Sequence, residues 1–380
     1  MILLCFNLEG FPQNRSPAGL TSDSMSHEDD SPPVNRFSRA LWHFSPQWFL
    51  IPQGTGIIAV LLHQLHYQFG ALPILAKIVW IYTIALFGIT LALYILRVII
   101  HPHHVIHKLR TDLLETSCLA SISITFTSII EMVSLQYGSS AGLPAYILWC
   151  ISTALAIIAV ILIPYTQLKL QPPGIEHIPP SILLPVIAAL TSAAGGGVIC
   201  TSANISPRLQ VPTIIISYLE VGTGFALALA FTAIVLLEHF NRTYPTPSKV
   251  YQDMVLCGPF GQGGFALQGL GTAVLQGSFA SYNRGTFLTA EAARPIAYIS
   301  QWAGLMSWGF GTFWWCFATY GGLGVDISVG RVYQLCGAVG EDYGFARAAC
   351  LVDGAGYLVG CDGYLVEFVY CQSNSDGIDI

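Results

Sequence analysis

The chain has 380 residues, of which 53% are hydrophobic and only 9% charged, with a formal net charge of −6. A globular domain carries roughly 25% charged residues, so this composition excludes an ordinary soluble enzyme. The first 320 residues hold 13 basic and 13 acidic side chains, and with no basic patch nothing points to nucleic acid.

The N-terminal segment opens Met-Ile-Leu-Leu-Cys-Phe and then turns polar. Six apolar residues with no basic leader do not make a signal peptide. Residues 1–42, rich in Ser, Pro, Asn and Asp, read as a disordered cytoplasmic tail. Eight apolar stretches follow, at about 47–65, 78–97, 116–136, 143–164, 180–200, 211–237, 254–278 and 295–319. Each approaches the roughly 20 apolar residues that a helix needs to cross a bilayer. The chain is therefore read as an all-α integral membrane protein, multi-pass and embedded in a lipid bilayer. Lys and Arg in the links set its orientation. Nine of them (Arg15, Arg36, Arg39, Arg97, Lys108, Arg110, Lys169, Arg242, Lys249) fall on one side and four (Lys77, Arg208, Arg284, Arg294) on the other, which predicts a cytoplasmic N-terminus. The link after the second span carries His101, His103, His104 and His107. A solvated interfacial loop is favoured there over a metal site, and no metal is assigned. The ten cysteines show no CxxC spacing and predict no disulfide framework.

Glycine is distributed unevenly. Spans 1, 3, 5 and 7 hold 12 glycines and spans 2, 4, 6 and 8 hold six. Span 3 lacks glycine but is rich in hydroxyls, Ser121 and Thr125 among them. Small residues allow close helix approach and leave bare backbone along a path. The odd spans are accordingly predicted to form an inner ring and the even ones an outer ring, against the alternative of ordinary small-residue packing. Span 7 reads Cys-Gly-Pro-Phe-Gly-Gln-Gly-Gly-Phe from Cys257. Pro259 and the glycines behind it predict a bent or broken helix, whose freed N–H groups would face an anion. Gly195–Gly197 in span 5 and Gly54-Thr55-Gly56 in span 1 are two further weak points. The candidates for an anion path are thus Gly54, Thr55, Gly56, Ser121, Thr125, Gly195, Gly196, Gly197, Gly258, Gly261, Gln262 and Phe265. Residues 261–266 fit a dinucleotide fingerprint, but no strand precedes them and no carboxylate follows at the ribose spacing, so no cofactor is expected.

Two carboxylates lie in spans. Glu131 sits near the outer end of span 3, within reach of the interface. Glu220 lies deeper and is a candidate for proton coupling, against the plainer alternative of a hydrogen-bonded neutral acid. With no Lys or Arg inside the spans, an anion would meet backbone N–H, hydroxyls and amides, which favours fast, weak passage.

The segments His43–Phe49 with Gly54-Thr55-Gly56, 182–197 and 257–268 together resemble the tellurite-resistance/dicarboxylate transporter family, which includes sulfite efflux pumps, malate permeases and slow anion channels. The resemblance covers about residues 40–320. It implies a fold of ten helices, a ring of helical hairpins around a central pore, of which about eight are recognisable here. It also implies a homotrimer in the plasma membrane. The substrates it implies are small inorganic or organic anions, by efflux of sulfite first and transport of a C4-dicarboxylate such as malate second. No enzymatic activity is expected, since a membrane-embedded enzyme would need a polar cluster that only the histidine link offers. Residues 321–380, with 12 glycines and eight acids, replace the family's last two spans. The phenylalanine of the family's ninth helix therefore has no counterpart, and a truncated, inactive member is the third reading.

Overall fold

A computed structural model describes residues 35–171, 178–241 and 250–328. The chain begins with a short helix α1 (Arg36–His43), capped by the Asn35 side chain. A 3-10 turn at Pro46–Phe49 leads into α2 (Leu50–Gln64). There follow α3 (Leu72–Ile100), α4 (Pro102–Thr111), α5 (Leu113–Cys118), α6 (Ala120–Tyr137), α7 (Gly142–Lys169), α8 (Leu184–Ser202) and α9 (Pro207–Asn241). A 3-10 segment, Val250–Leu256, precedes α10 (Cys257–Ala273), and after a π turn and the short α11 (Phe279–Tyr282) the described chain ends in α12 (Ala290–Ser328). Each of the eight expected spans coincides with one of these helices. Four helical stretches, Leu72–Ile100, Leu113–Lys169, Pro180–Ser202 and Pro207–Phe240, are long and apolar enough to cross a membrane. The first is α3, the second contains α5, α6 and α7, and the others contain α8 and α9.

Helix starts are marked by proline, which lacks the N–H that a first turn leaves unpaired anyway: Pro46, Pro102, Pro180 and Pro207 stand first in their helices. Asp112 caps α5, accepting from the N–H groups of Leu114 and Glu115 at 3.1 and 3.2 Å. Between α6 and α7 the chain turns at Gly138, whose φ of +51° only glycine adopts without strain.

The packing follows the hairpins. α2 pairs with α3, α6 with α7, α8 with α9 and α10 with α12. Within the bundle α2 packs on α6, α6 on α8 and α8 on α10, so the odd hairpin members make an inner row and their partners stand outside it. Burial agrees. Every residue of α8 from Leu184 to Cys200 is buried, whereas α3 exposes Ile78, Ile81, Ile89, Ile95 and Ile99, and α12 exposes Ile299, Trp302 and Phe313. Such apolar faces suit lipid, which is as apolar as leucine.

Two expectations fail here. The histidine-rich link is not a loop: Pro102 starts a helix, and α1 touches the beginning of that helix, while His103 and His107 stay exposed. Trp42 stacks on His104 at 3.7 Å between ring centroids and meets His101 edge-on, while Ser38 Oγ lies 3.0 Å from His101 Nε2. These contacts also place an ordered helix inside the last residues of the expected tail; residues 1–34 lie outside the described residues. The second failure concerns the breaks. α10 is continuous from Cys257 to Ala273, because Pro259 falls in its first turn, where it interrupts no hydrogen bond. The irregularity sits at the other end, in the π turn Val274–Ser278 with Gly277 at φ 91°. α2 and α8 likewise run unbroken through Gly54–Gly56 and Gly195–Gly197. Of the segment 321–380, only residues up to 328 are described, and they continue α12; the rest lies outside the described residues.

Candidate anion path

The inner row has a common beginning. The turns that start α2 and α8, the short helix α5 that leads into α6, and the 3-10 segment before α10 lie at one end of the bundle, where α5 touches the first two and the turn before α8 touches the segment before α10. Four helix starts therefore lie together at one end of the inner row, the α5 start already capped by the Asp112 carboxylate. No Lys or Arg occurs within α2, α6, α8 or α10.

The predicted residues occupy these helices in different ways. Gly54, Gly258 and Gly261 are buried in α2 and α10. Thr55 donates from Oγ1 to Pro52 O at 3.3 Å and accepts from Thr83 Oγ1 at 2.9 Å, so its hydroxyl ties α2 to α3. Thr125 spends its hydroxyl on Ser121 O at 2.7 Å. Ser121 Oγ and Gln262 Oε1, by contrast, are buried on α6 and α10 with no hydrogen bond among the described residues. Buried polar groups are normally paired; these two, together with Thr191 Oγ1 of α8 and Glu131 Oε1 of α6, are unpaired polar atoms on the row. Phe265 is partly buried and packs against two apolar clusters at once, its own around α8–α10 and a second built from Ala59, Val60, Ala76, Trp80 and Met132 on α2, α3 and α6. It thus reaches from one end of the inner row to the other.

The glycines of α8 serve close packing. A Cβ on Gly195 would stand 2.6 Å from Thr127 Cγ2, one on Gly196 would overlap Ser217 Oγ, and one on Gly197 would stand 3.1 Å from the Gly269 carbonyl carbon. Gly56 sits against Ser128 of α6 in the same way, 3.0 Å from its Cβ. Tertiary packing overrides the weak helix propensity of these residues, which is why they do not unwind.

Three features were missed in the sequence. Arg97, assigned to a link, lies in the last turn of α3 and is only 1% exposed. It forms a buried ion pair with Glu115 of α5. Among the described residues it is the one buried Lys or Arg, and Glu115 neutralises it, so it remains no free cation trap. The pair was hidden because its partners belong to different helices. Glu131 does not reach the interface; it is 2% exposed and held against Gly195. Finally, a belt of hydroxyls joins α6, α7 and α8, with Thr127 Oγ1 2.6 Å from Ser152 Oγ and Thr153 Oγ1 2.8 Å from Ser192 Oγ. Glu220, 4% exposed, stands beside Ser192 with neither oxygen in hydrogen-bond geometry.

The sequence matches known proteins over most of its length. The sequence profile of the voltage-dependent anion channel family matches residues 43–328. The sulfite efflux pump SSU1 of Arthroderma benhamiae is 28% identical over 283 residues, covering 73% of this chain and 74% of that protein. An uncharacterized transporter of Methanocaldococcus jannaschii is 26% identical over 280 residues, 72% of this chain and 73% of the relative. A protein of Schizosaccharomyces pombe named for malic acid transport is 22% identical over 213 residues, 55% of this chain and 49% of its own length. That profile spans most of the chain, and the chain belongs to the voltage-dependent anion channel (SLAC1) family of membrane anion transporters.

Proposed function

We propose that the chain exports sulfite across the plasma membrane, with its N-terminus on the cytoplasmic side. The observation that carries this reading is that buried polar groups, Ser121 Oγ and Gln262 Oε1 among them, stand unpaired on an inner row that holds no Lys or Arg. The Ser121 hydroxyl can donate to a small oxyanion that must leave as readily as it enters, and the Gln262 carboxamide carries an NH2 donor beside its unpaired oxygen. Helix N-termini gathered at one end of the row favour anions over cations. The similarity to the sulfite efflux pump of Arthroderma benhamiae supports sulfite as the cargo. The protein named for malic acid transport supports a C4-dicarboxylate as the second reading, over a shorter match. Gly54, Gly56, Gly258 and Gly261 contribute bare backbone to this path and Phe265 narrows it. By resemblance the working unit is a homotrimer.

Expression in a fungal strain that lacks its own sulfite pump tests the assignment. Restored sulfite tolerance is expected. Malate flux without restored tolerance moves the assignment to the dicarboxylate.

A further inference from the structure

We propose that Glu131 and Glu220 are proton-binding sites, so that protons accompany the anion through this protein; the inference rests on the transport reading above. The two acids belong to different helices, α6 and α9, and both abut the same segment of α8. Glu131 Oε1 lies 3.5 Å from where a Gly195 Cβ would be, and Glu220 lies beside Ser192. They are 2% and 4% exposed. Glu131 Oε1 has no hydrogen-bond partner among the described residues, and the Ser192 hydroxyl is the group that approaches the Glu220 carboxyl.

The elements around them bring no counter-charge. α8 and α10 contain no Asp, Glu, Lys, Arg or His, and α7 contains only Lys169, at its last position. α3 offers Lys77 in its second turn and Arg97, which is engaged by Glu115 of α5. α2 offers His63, whose Nε2 lies 3.3 Å from Gln136. On α9 itself the charged and titratable groups are Arg208, Tyr218, Glu238 and His239, the first near one end and the last two near the other. The thiols and phenols on α6 and on the helices packed around the two acids are Tyr137, Tyr82, Tyr94, Cys118, Tyr146, Cys150, Tyr165, Cys200 and Cys257. An ionised carboxylate with no partner in a low-dielectric interior is very costly, whereas the neutral acid is tolerated. The ligand that such a site accepts is therefore a proton.

Two hydroxyl pairs also lie between the two acids. Thr127, one turn before Glu131, meets Ser152; Thr153, the next residue of α7, meets Ser192; and Ser192 stands beside Glu220. Ser217, one turn before Glu220, abuts Gly196 with its Oγ unpaired. Each hydroxyl both donates and accepts, so the space between the acids around α8 is polar. Trp149 holds the frame by donating from Nε1 to Ser192 O at 2.9 Å. A path without a cation leaves a moving anion uncompensated. A proton moving in the same direction as a monovalent anion cancels its charge.

The test uses the purified full chain in vesicles that enclose a pH-sensitive dye, with sulfite or malate added outside and empty vesicles subtracted. Anion entry should be accompanied by acidification of the lumen. E131Q or E220Q should reduce the proton entry per anion to the empty-vesicle level, and E131D and E220D should retain it. Anion entry by the wild-type protein at unchanged lumen pH overturns the inference and leaves the transport reading standing, as does a wild-type proton-to-anion ratio in both Gln variants. If the Gln variants lose their monodisperse elution, the wild-type ratio decides alone. Absence of both anion and proton entry with either probe overturns the transport reading and this inference with it.

Discussion

At the residue scale, the glycines divide by what a side chain would meet. Gly197 faces the backbone of Gly269 and Leu270 at 3.1–3.3 Å, while nothing lies within 4 Å of a Cβ on Gly222. Backbone cannot swing aside as a side-chain tip can, so G197A must push α8 from α10. Overpacking of this kind costs about 1–3 kcal/mol, and thermal unfolding in detergent should show a clear loss for G197A and none for G222A. An unchanged transition for G197A would contradict the packing role. This division was not legible in the sequence, where Gly197 and Gly222 differ only in that one belongs to a triplet. Ser121 and Gln262 were legible as polar residues in apolar spans. That Ser121 Oγ is unpaired while the Thr125 hydroxyl is spent on its own helix depends on rotamers and neighbours. Q262L, which keeps the volume and removes the amide, should lower anion flux severalfold while leaving elution in detergent unchanged; flux at the wild-type level would remove Gln262 from the path.

At the element scale, Arg97 and Glu115 join the end of α3 to α5 and so to the mouth of the inner row. Breaking a buried pair by removing one partner strands the other charge and costs about 3–5 kcal/mol. R97M and E115Q should each lower the unfolding temperature strongly, and the double substitution R97M/E115L should recover much of the loss. A double variant that is as unstable as the sum of the two singles would argue against direct pairing. The elements themselves were read well from apolar run length, since a helix in lipid has little alternative. Their breaks were not. Pro259 and the glycines after it suggested an interrupted α10, but where the helix begins decides whether a proline interrupts anything, and helix ends are poorly marked in continuous apolar sequence. The link at 101–111 misled for a related reason. Histidine looks like a loop residue until Trp42 stacks on His104, a contact 62 residues apart that no local pattern shows. W42A should release α1, and proteolysis at Arg36 and Arg39 should quicken while the bundle stays intact.

At the scale of the whole molecule, the uneven glycine content pointed to the inner and outer helices, and the burial of α8 against the exposed faces of α3 and α12 agrees with it. The reason is geometric: a helix surrounded by others needs small residues on several faces, and a helix facing lipid needs them on one. What composition could not reveal is how the two ends of the inner row meet. Phe265 answers part of this by touching the clusters at both ends. F265A should therefore raise anion flux severalfold, and a fall in flux with preserved folding would show that the ring supports the path rather than narrowing it. The most direct measurement is release of radiolabelled sulfite from vesicles containing the purified chain. The account predicts release well above that from empty vesicles, faster still with F265A and slower with Q262L; release at the empty-vesicle rate by all three proteins would contradict it.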